Sequence, residues 1–367
     1  MDVYLFPIDA AVVTFLVLSI VLTIPYMLTQ YIRYGSVSRY RALILFSFSF
    51  YMLCAYYLVT LPLPDPKTFA PTVNIWDYVN LIPFKFVHDF VTATTLKITD
   101  LRTFLPALRQ EVFFEPVFNI FLTIPFGVFL GYYFKASLRK TILFSFLLSL
   151  FFELTQLSGL YGIYPHPYRV FDVDDLMMNT LGGLIGYEIY KHLLFFLPSK
   201  EKIDERNYRA SEKVGYTRRV FAFGVDYAIV LIVSTIFIHL AGLESLIFNI
   251  VLFGYFIVSQ LIFKRTIGMT LVHIRLKTED EGQRYFSAVI IRYAMLCFVI
   301  SLISLLDLMI KNSDAYSVYA IMLIVVLVVV FVDFIVGFRR GKVLLYEKLS
   351  KTRNVSTMKH KEISNSS

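Results

Sequence analysis

Apolar positions along the chain come in long unbroken runs, with none of the alternation that marks strands lining a membrane barrel. A helix rises 1.5 Å per residue, so ~20 mostly apolar residues are enough to cross a hydrocarbon core. Nine stretches meet that length to within a few residues: 10–30, 41–60, 117–134, 140–160, 176–197, 220–240, 246–263, 287–308 and 316–338. The first has no basic segment ahead of it and too long an apolar run for a signal peptide. One polar stretch, 198–218, interrupts the pattern and reads as a solvated linker, helical in part. The expected organisation is a membrane domain over 1–197 with five spans, a cytoplasmic linker over 198–218, a second membrane domain over 219–355 with four spans, and a disordered tail over 356–367.

Composition agrees. Hydrophobic residues make up 57% of the 367 and charged residues 17%, against about 25% charged in an average soluble protein. A chain this apolar cannot cover itself with polar surface in water. The formal charge of +8 is read as a topology signal rather than as a nucleic-acid footprint. With the N-terminus outside, all but seven of the 35 Lys and Arg fall on the inner side. The outward ones are Lys67, Lys85, Lys97, Arg102, Arg109, Arg169 and Lys311. The expectation is therefore an all-α polytopic membrane protein with nine transmembrane helices, N-out and C-in, in contact with the lipid bilayer. The only two cysteines, Cys54 and Cys297, lie inside apolar runs, which speaks against a disulfide framework or a thiolate metal site.

Once the sidedness is set, polar residues of the first half gather at one depth. Asn119 stands near the outer end of the third span. Glu153 and Gln156 share a face of the fourth. Arg169, Asp172, Asp174 and Asp175 occupy the following loop, and Asn179 the first turn of the fifth span. An aspartate here can simply cap the fifth helix. Glu153 asks for more, since an ionisable residue inside a span costs at least ~2.5–3.5 kcal/mol and normally has a partner or a task. Pro125 is expected to kink the third span. The pairs Gly127/Gly131 and Gly182/Gly186 suit close packing of helix backbones.

In the second half the charges lie toward the inner face: Arg219 and Asp226 on the sixth span, Arg292 on the eighth, Asp333 on the ninth, and Glu347 beyond it. Arg219 and Asp226 are separated by ~10 Å of helix rise, too far to bond directly. A cluster of Asp226, Arg292 and Asp333 would neutralise itself, either as a register-fixing ion network or as an ion or proton pathway.

The segment Asn119-Ile-Phe-Leu-Thr-Ile-Pro125-Phe126-Gly127 resembles a signature of the VanZ-like family. So do Ser149-Leu-Phe-Phe-Glu153-Leu-Thr-Gln156, Arg169-Val-Phe-Asp172-Val-Asp174-Asp175-Leu-Met-Met-Asn179-Thr-Leu-Gly182-Gly183 and the upstream Asn80-Leu-Ile-Pro83-Phe84. This resemblance covers about residues 40–195, with Thr123 where an aromatic is more usual. It implies an integral membrane protein of the bacterial envelope, in a family named for a member linked to teicoplanin resistance. Arg218-Arg219-Val-Phe-Ala222-Phe-Gly-Val-Asp226, Thr266-Ile-Gly268-Met-Thr-Leu-Val-His-Ile-Arg-Leu276 and Leu344-Leu-Tyr-Glu347-Lys-Leu-Ser-Lys-Thr352 resemble the RDD family over about 215–355. Glu347 stands there for the more usual aspartate and Tyr346 for a histidine. That resemblance implies a link to transport.

The leading expectation is a non-enzymatic bacterial cell-membrane protein with an outer-leaflet polar site for a lipid head group, a cell-wall precursor or a glycopeptide. No cofactor, resident metal or nucleic-acid partner is expected. A second reading is a cation- or proton-coupled transporter using the second half. A third is an enzyme on a lipid-linked substrate, with Glu153 as general acid/base and Asp172, Asp174 and Asp175 around a divalent cation.

Overall fold

The computed structural model describes residues 2–65, 73–97, 99–241, 245–278, 285–310, 324–328, 332, 335 and 344–358. Most of the ninth expected span, together with Asp333, lies outside the described residues. The protein is largely helical. Among the described residues, four helices are long and apolar enough to cross a membrane: Leu5–Tyr34, Arg39–Thr60, Glu111–Tyr132 and Leu138–Leu157. Shorter apolar helices cover Ile250–Phe263 and Tyr285–Phe298. The chain is a helical membrane protein. It divides into two compact units, one of Met1–Ile24 with Arg39–Ile203 and one of Pro25–Ser38 with Asp204–Ser367.

The first unit is built from the early part of α1 (Asp2–Tyr34) and then α2 (Arg39–Thr60), β1 (Val79–Asn80), α3 (Lys85–Ala93), α4 (Phe104–Leu108), α5 (Glu111–Tyr132), α6 (Leu138–Leu157), α7 (Gly159–Gly162), β2 (Phe171–Asp172) and α8 (Val173–Leu193). The helix α5 runs on through Pro116 and Pro125. It packs on α8 through the small residues the sequence singled out. A Cβ on Gly186 would collide with the backbone carbonyl of Ile124, and one on Gly127 with that of Gly183, so nothing larger than glycine lets these backbones meet. Ala55 of α2, Leu122 of α5 and Phe152 of α6 form the buried apolar centre. The two-residue strands β1 and β2 pair in parallel, Val79 with Phe171 and Asn80 with Asp172. This pairing ties the 79–86 segment to the start of α8.

The second unit contains α9 (Lys200–Ser211), α10 (Tyr216–Ala241), α11 (Ser245–Phe263), α12 (Ile267–Leu271), β3 (Ile274–Thr278), α13 (Tyr285–Ile310), a short helix Leu345–Ser350 and β4 (Thr352–Ser356). The first residues of α9, up to Ile203, belong to the other unit. Within the charged 198–218 stretch Ile203, Asn207, Ser211 and Arg218 are buried, so this stretch has a covered side as well as a wet one. The core holds Val230, Leu252, Phe256, Val289, Tyr293 and Cys297. Phe256 stacks on Phe223 at 5.6 Å and on Tyr293 at 4.7 Å between ring centres, the offset geometry that aromatic faces prefer. β3 and β4 are antiparallel, from Ile274 opposite Ser356 to Thr278 opposite Thr352. Ile274 and Leu276 alternate inward on one strand, Thr352 and Asn354 on the other. Ser356, where the sequence pattern began a disordered tail, is thus the last residue of a strand.

Candidate functional site

The site grows from the N-terminus of α8. Asp172 caps that helix, its Oδ1 accepting from the Asp174 N–H at 2.8 Å, as an acceptor side chain at this position should. Its Oδ2 accepts from Asn80 Nδ2 at 2.9 Å, and its own N–H donates to Glu153 Oε2 at 2.9 Å. Glu153, 3% exposed, is therefore held against the loop from the facing α6. Asp175 Oδ1 accepts from Asn119 Nδ2 of α5. Asn179, one turn further on, donates through Nδ2 to Ser149 Oγ at 2.9 Å. Its carbonyl accepts from Thr123 Oγ1 at 2.7 Å. Gln156 Nε2 donates to the carbonyl of Val59 at 2.9 Å.

These side chains surround one cavity of about 460 Å³, whose lining includes Asn119, Glu153, Gln156, Arg169, Asp172, Asp175 and Asn179. Seven of the eight residues expected at an outer polar site thus share one space, brought there by α5, α6, α8 and the loop before α8. The eighth, Asp174, departs from the expectation. It is buried, and its carboxylate turns to the 84–86 segment, accepting from the N–H of Phe84 at 2.6 Å and of Phe86 at 2.9 Å. Phe84 has φ of 63° and precedes α3. Asp174 therefore serves the exposed amides at the start of that helix, where a negative charge is also favoured by the helix dipole. On α3 itself Lys85 donates to Asp89, and this bond holds the half-exposed Asp89 carboxyl below its ordinary range.

Sequence reading missed Glu115, which joins the lining of the cavity. Glu115 sits one turn before Asn119 on the same face of α5, and the third span was drawn from 117 because charge ended the apolar run. With Glu153, Asp172 and Asp175 it makes four carboxylates around one guanidinium, Arg169, and the wall is completed by Leu58, Val59, Phe114 and Phe118. Among the described residues, no group of three or more His, Cys, Asp or Glu side chains is arranged to hold a metal ion.

The charges expected at the inner face are partnered differently from the expected cluster. Asp226 does not meet Arg292. Its Oδ1 accepts from Tyr255 Oη and the Gly268 N–H, both at 2.7 Å, and its Oδ2 from Thr266 Oγ1 at 2.5 Å. It thus pins the start of α12, and Gly268 lies so close that a Cβ there would meet the Ala222 carbonyl. Glu347 takes the ionic role instead. It is 2% exposed, accepts from Arg219 Nη1 at 2.6 Å, and stands 3.6 Å from Arg292 Nη2. Asn354 Nδ2 donates to its other oxygen at 3.0 Å. Arg292 also donates to Thr352 Oγ1 at 2.8 Å, and its guanidinium lies 4.7 Å from the centre of the Tyr346 ring. Buried charges that share hydrogen bonds and an aromatic face in this way are compensated locally. Arg218 was quoted only as part of a motif, yet it is buried. Its guanidinium donates to the carbonyls of Val272, Ser211 and His273 at 2.7–2.8 Å.

Compared with known proteins, the chain finds no match among curated proteins and none among solved structures. The stretch carrying every polar residue of the cavity is nevertheless similar to a known family, since the VanZ/LLP1 family model matches residues 48–197.

Proposed function

We propose that this is a multi-pass protein of the bacterial cell membrane whose VanZ-like part binds an envelope ligand at the outer leaflet without chemically changing it. A lipid head group, a cell-wall precursor or a glycopeptide is the class of ligand in view. The expected consequence is glycopeptide resistance of the teicoplanin type, or envelope homeostasis. In this reading the chain makes nine spans with N-out/C-in sidedness and the cavity faces outward, which the distribution of Lys and Arg supports. An RDD-like second half anchors or regulates the first.

One observation carries the reading. Carboxylates and carboxamides from three helices and a loop converge, beside Arg169, on a single cavity of about 460 Å³, a volume within the usual range of about 300–1,000 Å³ for small-molecule sites. A guanidinium beside carboxylates recognises a zwitterionic or amide-rich ligand through charge-assisted hydrogen bonds. The test is teicoplanin susceptibility of cells carrying wild type, Glu153→Gln or Asp226→Asn at equal membrane levels. Loss of protection with the Glu153 change alone is expected. Absence of protection from wild type as well would sink the resistance role and bring transport by the second half forward.

A further inference from the structure

Three side chains at the cavity keep a hydrogen-bond acceptor that no described residue uses. Ser149 has one hydroxyl proton, and it goes to the carbonyl of Asp175 at 3.2 Å. Ser149 Oγ must then accept from Asn179 Nδ2, which fixes the orientation of the Asn179 amide. Its Oδ1 is left with no partner among the described residues although Asn179 is only 3% exposed and lines the cavity. Such an orphaned acceptor calls for an explanation. The two neighbouring acids show the same surplus. Glu153 uses Oε2 for the Asp172 N–H and Asp175 uses Oδ1 for Asn119. Neither second carboxylate oxygen accepts a hydrogen bond from a described residue.

Building on the binding reading above, we infer that Asn179, Glu153 and Asp175 form a subsite for a primary ammonium group, R–NH₃⁺, with Arg169 facing the anionic part of the same molecule. The three residues that carry these unused acceptors line one space, with Asn179 Oδ1 buried behind its surface, and a primary ammonium brings three N–H donors and a positive charge. A quaternary ammonium has no N–H to give and is normally taken by aromatic cages. A bare calcium ion asks for six to eight oxygens around one point, and among the described residues no group of three or more His, Cys, Asp or Glu side chains is arranged to hold a metal ion. The cavity is larger than an ammonium alone, and its apolar wall of Leu58, Val59 and Phe118 suits a molecule whose amine is attached to something less polar. An aminophospholipid head group and a soluble amine share this chemistry.

The experiment uses the full chain in detergent and measures binding of short-chain phosphatidylethanolamine, its N-monomethyl and N,N-dimethyl forms, phosphatidylcholine and phosphatidylglycerol. Affinity is expected to fall at each methylation, by at least tenfold from first to last, with phosphatidylglycerol weakest. Glu153→Gln and Asn179→Leu should remove the preference. Equal binding across the methylation series overturns the inference, and because that series needs only wild type, misfolding of a variant cannot shelter it. O-phosphoethanolamine separates the sources: binding as tight as that of the lipid indicates a soluble amine, and a need for acyl chains indicates a lipid. Equal binding across the series together with loss of teicoplanin protection in Glu153→Gln would remove the ammonium subsite and leave the binding site standing. A clear preference for primary amine with no effect on protection would keep the subsite and remove the resistance role.

Discussion

Three aspartates within four positions do three different things. Asp172 caps its own helix at the edge of the cavity, Asp174 reaches to the N–H groups of another, and Asp175 joins the cavity wall and is held by Asn119. The sequence placed all of them on the outer side, and no spacing rule could have sorted them, because the partners of Asp174 are backbone amides, which every residue type carries. Asp174→Ala leaves two amides with no acceptor where the carboxylate was buried. The expected cost is about 0.5–1.5 kcal/mol for each hydrogen bond lost, since water can reach these amides, read as faster hydrogen exchange at Phe84 and Phe86 and a lower unfolding temperature. Exchange at those amides unchanged from wild type would show that the carboxylate is dispensable there. Glu347 was legible as a charge but not as a partner, since Arg219 lies 128 residues earlier. Glu347→Gln leaves Arg292 buried without its anion and is expected to destabilise the second unit by about 3–5 kcal/mol. Thermal unfolding in detergent checks this, and a wild-type-like melt would count against an ionic role.

Helices were the most readable part of the chain. The runs 41–60, 140–160 and 246–263 reappear as Arg39–Thr60, Leu138–Leu157 and Ser245–Phe263. Discrepancies fall where charge and helix coexist: α5 starts at Glu111 rather than 117, and Glu115 entered no expectation. Backbone hydrogen bonding continues a helix regardless of whether a side chain prefers lipid, so apolarity marks the span and not the element. Elements set by tertiary pairing were not legible at all. β1 and β2 have two residues each, too few for any alternation to show, and α12 is a single capped turn of five. The GxxxG pairs did carry information, because close approach of α5 and α8 needs absent side chains. Gly186→Leu places its side chain against the Ile124 carbonyl, a backbone atom that cannot swing aside. It should abolish a monodisperse folded protein on size exclusion. Gly215→Ala meets nothing within 4 Å and should run as wild type. Equal elution of both variants would mean that the helix pair adjusts.

At the level of the whole chain, sidedness rests on charge distribution, and labelling checks it directly. In a Cys54→Ser, Cys297→Ser background, an impermeant maleimide applied to intact cells should modify Ile163→Cys, in the loop after α6, and spare Lys202→Cys on α9 until the membrane is opened. The reverse pattern inverts the topology and puts the cavity on the cytoplasmic side. Composition made the membrane class readable, whereas the pairing of distant segments was not, because loop closure leaves no local trace. The β3–β4 ladder illustrates this in a further way. Its second strand, Thr352–Ser356, comes from the last part of the chain. The same stretch of roughly a dozen residues supplies Glu347 to Arg219, Thr352 to Arg292 and Ser356 to Arg218. Detaching this one short stretch therefore takes the shared carboxylate from Arg219 and Arg292 together, and leaves Arg292 buried without its anion. Such long-range closure slows folding, and makes the burial of two distant arginines one event rather than two.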